Sequence, residues 1–317
     1  MTFPTSAQPA ATGFEPPPRL HDTLVGIDSD GCVFDTMTVK QREHFFPAII
    51  RHWGLEACAD ALRACAAFVN LTSKTRGSNR FPALLRVFEL LRDYPGVRAS
   101  GVALPATDAV RAYVHSGLPL GNPSLQDEVA RTQDPELARV LVWSLALNAD
   151  IDARMRPVPP FAGAVRALRL IHAASDALVV SQTPETALVK EWELHGLTGY
   201  VSLIAGQEKG SKAEHLRLAS DDRYAPDRIL LIGDAQGDLA AARQAGVLFY
   251  PIDPGAEERA WERFCDEAYP RFLAGTYAGP YEQRLIASFD ALLPDAPPWL
   301  SSSSVPQPSP PHAARYG

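Results

Sequence analysis

Two pairs of closely spaced carboxylates stand out in the sequence, each following a short apolar run. Asp28 and Asp30 lie two residues apart after one run, and Asp234 and Asp238 lie four residues apart after another. A carboxylate can attack phosphorus to form an aspartyl-phosphate, and a nearby carboxylic acid can protonate the leaving oxygen and then deprotonate water. Carboxylates gathered around a phosphate repel it unless a hard cation lies among them, and Mg²⁺ favours such oxygen ligands. These residues therefore predict magnesium-dependent phosphoryl transfer.

A hydroxyl and two lysines follow two further apolar runs. Ser181 comes directly after one of them, and a loop containing Lys209 and Lys212 follows the other. Hydroxyl and ammonium groups offset the charge that develops on a transferring phosphoryl group. Both lysines remain candidates for this position. We favour Lys212, because it begins a predicted helix that would hold it in place.

The elements that must position these side chains are parallel strands that alternate with helices. Four apolar runs have the character of buried strands: Thr23–Ile27, Ala177–Val180, Val201–Ala205 and Arg228–Ile232. Helical patterns follow later runs, such as Glu185–His195, Lys212–Ala219 and Leu239–Ala245. Ligands of open parallel sheets bind beyond the carboxyl ends of the strands, where all the polar residues above are found. The expected fold class is therefore α/β, with a doubly wound parallel sheet.

A long helical segment interrupts this alternation. Residues 38–156 contain no convincing strand, and their helical patterns are Val39–Trp53, Leu55–Val69, Phe81–Arg92, Thr107–His115 and Pro135–Asn148. We expect an α-helical cap domain inserted at 38–156, with residues 21–37 and 157–255 forming the catalytic core. A C-terminal helical extension is predicted for residues 256–300, either packed on the core or used in assembly. Residues 1–20 and 301–317 have the composition of disordered tails.

Composition and charge exclude several classes of protein. The net charge of -7 argues against a general nucleic-acid or acidic-membrane partner, and no apolar run approaches the roughly 20 residues needed to span a bilayer. The four cysteines form no CxxC pair, which favours reduced thiols in a cytoplasmic protein. The expected partner is a small phosphorylated metabolite, while the oligomeric state stays open.

The ordered set of motifs resembles the haloacid dehalogenase superfamily. Residues 24–36, LVGIDSDGCVFDT, are similar to its first motif, DxDGxxxD. Ser181 at a strand end resembles the second motif, and Lys212 in GSKAEHL resembles the third. Asp234 and Asp238 in LLIGDAQGDLAAARQAG resemble the fourth. The resemblance covers about residues 22–37 and 157–252, and it implies a Rossmann-like core with an inserted cap.

The resemblance also implies a role for each carboxylate. Asp28 would be the nucleophile and a Mg²⁺ ligand, and Asp30 would be the acid/base, with its backbone carbonyl on the metal. Asp234 would be the third protein ligand, and Asp238 would support it or bind the metal directly. An acid at position 30 favours a phosphatase or phosphotransferase over the dehalogenases and phosphonatases of this superfamily.

For the remaining motif positions, the resemblance implies that Ser181 hydrogen-bonds the phosphoryl group and that Lys212 balances its charge. Two positions depart from the common pattern. Cys32 follows the DG pair, and we interpret it as a packing residue, with a redox switch as the alternative. Gln182 replaces a common asparagine.

The cap segment LTSKTRGSNRF, Leu71–Phe81, resembles the substrate loop of helical-cap members, including the beta-phosphoglucomutases. Arg76 and Arg80 could together clamp a second anionic group of the substrate, away from the reacting phosphorus. The cap is longer than the usual four-helix form, so its pocket does not follow by analogy.

The function that these features favour is Mg²⁺-dependent hydrolysis of a small phosphomonoester, as in the phosphoglycolate phosphatases. A phosphomutase of the beta-phosphoglucomutase type is the nearest alternative, because of the cap loop. A non-catalytic phosphometabolite-binding protein is the third, although such a protein needs no nucleophile and acid together.

Overall fold

The computed structural model describes residue 16 and residues 18–220 and 223–301. Most of the two predicted tails therefore lies outside the described residues. The last residues of the N-terminal tail contact the core, where the backbone amide of Leu20 donates to Asp176 Oδ2 at 3.0 Å.

The core is a five-stranded parallel sheet with the strand order β3-β2-β1-β4-β5. The strands are β1 Leu24–Ile27, β2 Asp176–Val180, β3 Leu203–Ala205, β4 Ile229–Gly233 and β5 Leu248–Pro251. The chain runs outward from β1 to β3 and then returns to start the other half at β4. The predicted doubly wound α/β fold is thus confirmed, and the point where the strand order reverses lies between β1 and β4.

Seven helices of the insertion follow β1 before the chain returns to the sheet. They are α1 Thr36–Val39, α2 Phe46–Trp53, α3 Ala59–Ala67, α4 Arg80–Asp93, α5 Asp108–Val114, α6 Asn122–Thr132 and α7 Pro135–Arg154. Single 3₁₀ turns lie at Glu56–Cys58 and Arg98–Ser100. The insertion has its own core, which includes Trp53, Phe88 and Trp143, all less than 8% exposed. It therefore packs as a separate helical unit.

The first cap helix is continuous from Thr36 to Trp53 but contains a π-helical segment, Lys40–Phe45. Pro47 lies two residues after the end of this segment and has no backbone N–H to donate to the preceding turn. The π-helical segment Phe264–Ala268 likewise precedes Pro270, and a third lies at Phe68–Thr72. Such segments recur at functional sites, and Lys40 of the first one reaches the candidate site.

Helices cover both faces of the sheet. The elements after the cap are α8 Ala162–Ala174, α9 Glu185–Leu194, α10 Lys212–Ser220, α11 Gln236–Ala245, α12 Glu257–Arg263, α13 Tyr269–Leu273, α14 Pro280–Leu292 and α15 Pro298–Ser301, with 3₁₀ turns at Thr198–Tyr200, Gln207–Lys209 and Pro226–Arg228. Side chains alternate along each strand, so that Val25 and Ile27 face α8, α12 and α13. Leu24 of the same strand faces α10, α11 and α14. The C-terminal extension therefore packs on both faces of the core.

Among the elements that were not expected from the sequence are β5 and α6. Strand β5 is a short edge strand that ends in Pro251, so its pattern is too brief to stand out. Helix α6 is largely polar and buries only Leu125, which leaves almost no apolar periodicity to detect. No helix within the described ranges has the length and apolar character needed to cross a membrane.

Candidate active site

The loop after β1 turns sharply at the carboxyl end of the sheet. Its entry is fixed because the Asp28 amide donates to the carbonyl of Ile232 in β4 at 3.0 Å. Two tryptophans hold the turn from outside: Trp192 donates to Ser29 Oγ, and Trp261 donates to the carbonyl of Cys32, each at 3.0 Å. The backbone that carries Asp28 and Asp30 is therefore rigidly placed.

Gly31 makes this turn possible. Its φ of 81° lies in the left-handed region, where a side chain causes strain. A Cβ atom at this position would also lie 2.6 Å from Asp234 Oδ2 and 2.7 Å from Arg76 Nη2. The glycine therefore provides both the turn and the space in which two charged side chains meet.

Lys212 bridges two buried carboxylates at the centre of the site. Its Nζ lies 2.8 Å from Asp28 Oδ2 and 2.5 Å from Asp238 Oδ1. Lys209 instead pairs with Glu185 at 2.7 Å. Of the two candidate lysines, Lys212 is thus the one that contacts the carboxylates, as its position at the start of α10 suggested.

Asp238 is fully engaged by the protein. Its second oxygen, Oδ2, accepts hydrogen bonds from the backbone amides of Asp234 and Ala235 at 3.1 and 3.0 Å. Since Lys212 occupies its other oxygen, Asp238 shapes the loop after β4 and holds the lysine. These contacts favour the supporting role over direct metal binding.

Asp28, Asp234 and Asp238 form a group whose nearest ligand atoms all lie within 4.8 Å of one another. Asp234 is completely buried, and its Oδ1 has no hydrogen-bond partner. An orphaned carboxylate oxygen is costly to bury, and a hard divalent cation is the partner that it suits best. The donor set of Asp28 and Asp234 therefore fits Mg²⁺.

The charges of this cluster do not balance within the protein. Burial raises the pKa of Asp28 well above its ordinary value, although Lys212 opposes the shift, and it raises the pKa of Asp234 to about 6 against the effect of Arg76. Burial acts to lower the pKa of Lys212, but Asp238 and Asp28 raise it above its usual range. Lys212 therefore stays cationic, and a divalent cation would let both aspartates ionise.

Asp30 lies in a different environment, at the boundary with the cap. Its Oδ2 lies 2.6 Å from Lys40 Nζ and accepts a hydrogen bond from Thr183 at 2.7 Å, while Thr36 donates to Oδ1. Burial acts to raise the pKa of Asp30, but Lys40 and these hydrogen bonds outweigh it and lower the pKa below the ordinary value. In this arrangement Asp30 is ionised and held by three partners.

Glu191 of α9 lies within the electrostatic reach of the same pair. Burial, and then the charge of Asp30, raises its pKa to about 7, while Lys40 opposes the shift. Neither Lys40 nor Glu191 belongs to a motif of the sequence. The only signal for Lys40 was its four-residue spacing from Thr36 on one helix face; nothing in the sequence singles out Glu191.

Ser181 lies buried at the end of β2, and its Oγ accepts a hydrogen bond from the amide of Thr183 at 3.2 Å. Gln182 donates to the carbonyl of Gly210 at 3.2 Å, which links this loop to the one before α10. Cys32 is fully buried in the core, and burial raises the pKa of its thiol well above the ordinary value. This setting supports the packing interpretation of Cys32 rather than a redox switch.

The two arginines of the cap loop have different partners. Arg76 is only 4% exposed and pairs with Asp234 Oδ2 at 2.7 Å, so it lies beside the candidate metal ligands and not away from them. Arg80 donates to Ser144 Oγ at 3.0 Å and to Asn148 Oδ1 at 2.7 Å, inside the cap. The predicted pairing of both arginines on one substrate group does not match these contacts, because each guanidinium is engaged elsewhere by the protein.

No protein-family model and no curated protein sequence matches the chain. Solved structures that it resembles include haloacid dehalogenase-like hydrolases. One from Bacteroides fragilis is 16% identical, with a TM-score of 0.45, over 75% of this chain and 92% of the other. One from Streptococcus pneumoniae is 15% identical, with a TM-score of 0.39, over 76% and 90%. A protein from Haemophilus somnus described as a predicted phosphoglycolate phosphatase is 14% identical, with a TM-score of 0.40, over 74% and 86%. Likenesses this distant do not assign an activity.

Proposed function

We propose that this protein is a Mg²⁺-dependent phosphatase of the haloacid dehalogenase type, which hydrolyses a small phosphomonoester through an aspartyl-phosphate on Asp28. The observation that carries the proposal is the buried group of Asp28, Asp234 and Asp238 around Lys212, with one orphaned carboxylate oxygen. Asp28 and Asp234, with the backbone carbonyl of Asp30, would hold the metal. When bound, Mg²⁺ would neutralise charge on the phosphate and on its ligands.

In the first step, a carboxylate oxygen of Asp28 attacks phosphorus, and the bond from phosphorus to the leaving oxygen breaks. Lys212 stands beside that carboxylate and offsets negative charge on the phosphoryl group, and Ser181 offers a hydroxyl at the end of the neighbouring strand. Asp30 takes up a proton from solvent water as the anionic phosphate enters, because a nearby negative charge raises the pKa of a carboxylate. That proton passes to the leaving oxygen.

In the second step, water attacks the phosphorus of the aspartyl-phosphate and releases phosphate and free Asp28. Asp30 accepts the proton from this water, and its pairing with Lys40 favours the ionised form that the step requires. Because the cap-loop arginines that suggested a phosphomutase are held by protein groups, hydrolysis is the better-supported outcome. The pairing of a nucleophile with a second carboxylate also supports an enzyme over a binding protein.

The test compares Asp28→Asn and Asp30→Asn in rapid-quench experiments with aryl phosphates and Mg²⁺. We expect Asp28→Asn to abolish covalent phosphate entirely. Asp30→Asn should slow turnover by about 100- to 10,000-fold, the usual contribution of general acid–base catalysis. Its effect on the first step should shrink with dinitrophenyl phosphate, whose leaving group needs no proton.

Two outcomes would contradict the proposal. Covalent phosphate on Asp28→Asn but not on Asp30→Asn would reverse the two roles. Full activity of the wild-type protein after exhaustive chelation, with no metal retained, would exclude the Mg²⁺ assignment.

A further inference from the structure

Arg76 belongs to the cap, but its guanidinium lies buried in the core site. Its Nε and Nη2 both lie 2.7 Å from Asp234 Oδ2, and its Nη1 donates to the carbonyl of Leu71 at 2.9 Å. All three nitrogens are therefore bound to protein groups. The pair joins residues 158 positions apart and connects the cap loop directly to the loop after β4.

The surrounding backbone is shaped for this contact. Gly31 leaves room for the guanidinium, because a Cβ there would lie 2.7 Å from Arg76 Nη2. Gly77, with a φ of 73°, brings the cap loop against the core, where an added Cβ would lie 3.0 Å from the Cβ of Ala235. The side chain of Arg76 thus enters the core site at a point where the cap loop and the core lie close together.

The two carboxylate oxygens of Asp234 have different surroundings. Oδ2 holds the arginine of the cap, while Oδ1 is buried and has no partner. A buried carboxylate of this kind pairs strongly with one cation. A second cation at Oδ1 would draw charge from the same carboxylate and would repel the guanidinium. Occupation of Oδ1 by a metal ion and pairing of Oδ2 with Arg76 are therefore opposed.

We propose that Arg76 is a latch that couples the cap loop to metal binding: the Arg76–Asp234 pair holds Leu71–Phe81 on the core, and a divalent cation at Asp28 and Asp234 loosens it. This inference rests on the metal site of the proposed function. Coupling between two binding events is reciprocal. If the cation weakens the latch, removal of the latch must strengthen cation binding by the same factor.

The experiment measures Mn²⁺ affinity by electron paramagnetic resonance of the free ion, and hydrogen exchange of residues 71–81 with and without Mn²⁺. For Arg76→Met, we expect Mn²⁺ affinity to rise about tenfold, within the range typical of coupled sites. In the wild-type protein, Mn²⁺ should accelerate exchange in the loop. In Arg76→Met, exchange should already be fast and should no longer respond to the metal.

Two further variants separate charge from attachment and guard against a folding defect. Arg76→Lys keeps the positive charge but loses the fork of donors, so it should speed loop exchange less than Arg76→Met does and should raise Mn²⁺ affinity by a correspondingly smaller factor. Lys74→Met is the matched control, because Lys74 lies in the same loop and its side chain forms exposed ion pairs with Asp295 and Asp290, away from the carboxylates of the site. It should leave Mn²⁺ affinity unchanged.

Unchanged or weaker Mn²⁺ binding by a folded Arg76→Met would overturn the latch, as would loop exchange in the wild-type protein that ignores the metal. If Arg76→Met does not fold, loop exchange in Arg76→Lys that equals the wild-type rate would overturn it instead. Wild-type protein that binds no Mn²⁺ would overturn both the latch and the proposed metal site. Mn²⁺ binding that does not depend on Arg76 would overturn the latch but would leave the proposed metal site in place.

Discussion

The two halves of the candidate site come from different parts of the chain. Asp28, Asp234 and Lys212 follow strands or begin a helix of the sheet domain, and they converge because adjacent parallel strands end at one edge. Lys40 and Arg76 come from the insertion, and each pairs with one carboxylate of the sheet half.

The two halves also differ in the direction in which they shift the pKa of their carboxylates. In the sheet half, burial raises the pKa of Asp28 and Asp234, so that both ionise together only when a further cation balances their charge. At the boundary with the cap, burial acts to raise the pKa of Asp30, but Lys40 and two hydrogen bonds lower it and keep this carboxylate ionised. In the proposed mechanism, the sheet therefore provides the reacting groups, while the insertion adjusts the charge of individual groups among them.

The largest effect that tests this comparison is expected at Lys212. Lys212→Ala removes the cation between Asp28 and Asp238, and we expect kcat to fall by about 100- to 1,000-fold, as for the loss of other transition-state stabilisers. Lys209→Ala is the matched control, because Lys209 pairs with Glu185 at the start of α9. Steady-state kinetics on an aryl phosphate give the answer. An equal fall in kcat in the two variants would contradict a special role for Lys212 in the reaction.

A smaller effect is expected at Lys40, on the pH dependence rather than on the maximal rate. In Lys40→Met, burial is opposed only by the hydrogen bonds from Thr183 and Thr36, so the pKa of Asp30 should rise. Hydrolysis of the phosphoenzyme needs ionised Asp30, so its acid limb should move to higher pH. Lys40→Arg should keep the wild-type profile.

The same ion pair has a stability consequence with a definite sign. Because the folded pKa of Asp30 is lowered, its contribution to stability is present above the ordinary carboxyl pKa and is lost as the pH falls through the lowered value.

Glu191, with a pKa of about 7, is another group of this cluster that titrates nearby. The pH profiles should therefore be repeated in a Glu191→Gln background. A shift that disappears there belongs to Glu191 and contradicts the role given to Lys40.

The smallest effect on chemistry is expected at Arg80. Arg80→Ala removes hydrogen bonds to Ser144 and Asn148 within the cap, which should lower the free energy of unfolding by about 1–3 kcal/mol. The catalytic efficiency on an aryl phosphate should stay near the wild-type value. Denaturant titration and kinetics on the same samples distinguish the two effects. A large loss of catalytic efficiency without a loss of stability would contradict this expectation and would indicate that Arg80 binds the substrate.

Sequence patterns predicted the sheet half well because its residues follow periodic, apolar elements. Four of the five strands were predicted. The predicted helix that begins at Lys212 was the reason to prefer this lysine over Lys209. The edge strand β5 was missed because it is short and ends in proline, and α6 was missed because only Leu125 is buried.

The cap half could not be predicted in the same way. Arg76 and Arg80 have the same side chain and lie four residues apart, yet one enters the core and the other stays within the cap. Nothing local to the loop distinguishes them, since the difference comes from the packing of the insertion on the sheet. Lys40 was missed for the same reason, because its partner Asp30 lies in another element.

The central claim is that Asp28 is the nucleophile of a Mg²⁺-dependent site. Beryllofluoride tests this without knowledge of the substrate, because it binds to an aspartate carboxylate as a phosphoryl mimic and relies on a nearby metal. The measurement is the ¹⁹F NMR spectrum with and without Mg²⁺, for the wild-type protein and for Asp28→Asn. We expect protein-bound fluorine resonances only for the wild-type protein with Mg²⁺. The same bound resonances in Asp28→Asn, or in wild-type protein after chelation, would contradict it.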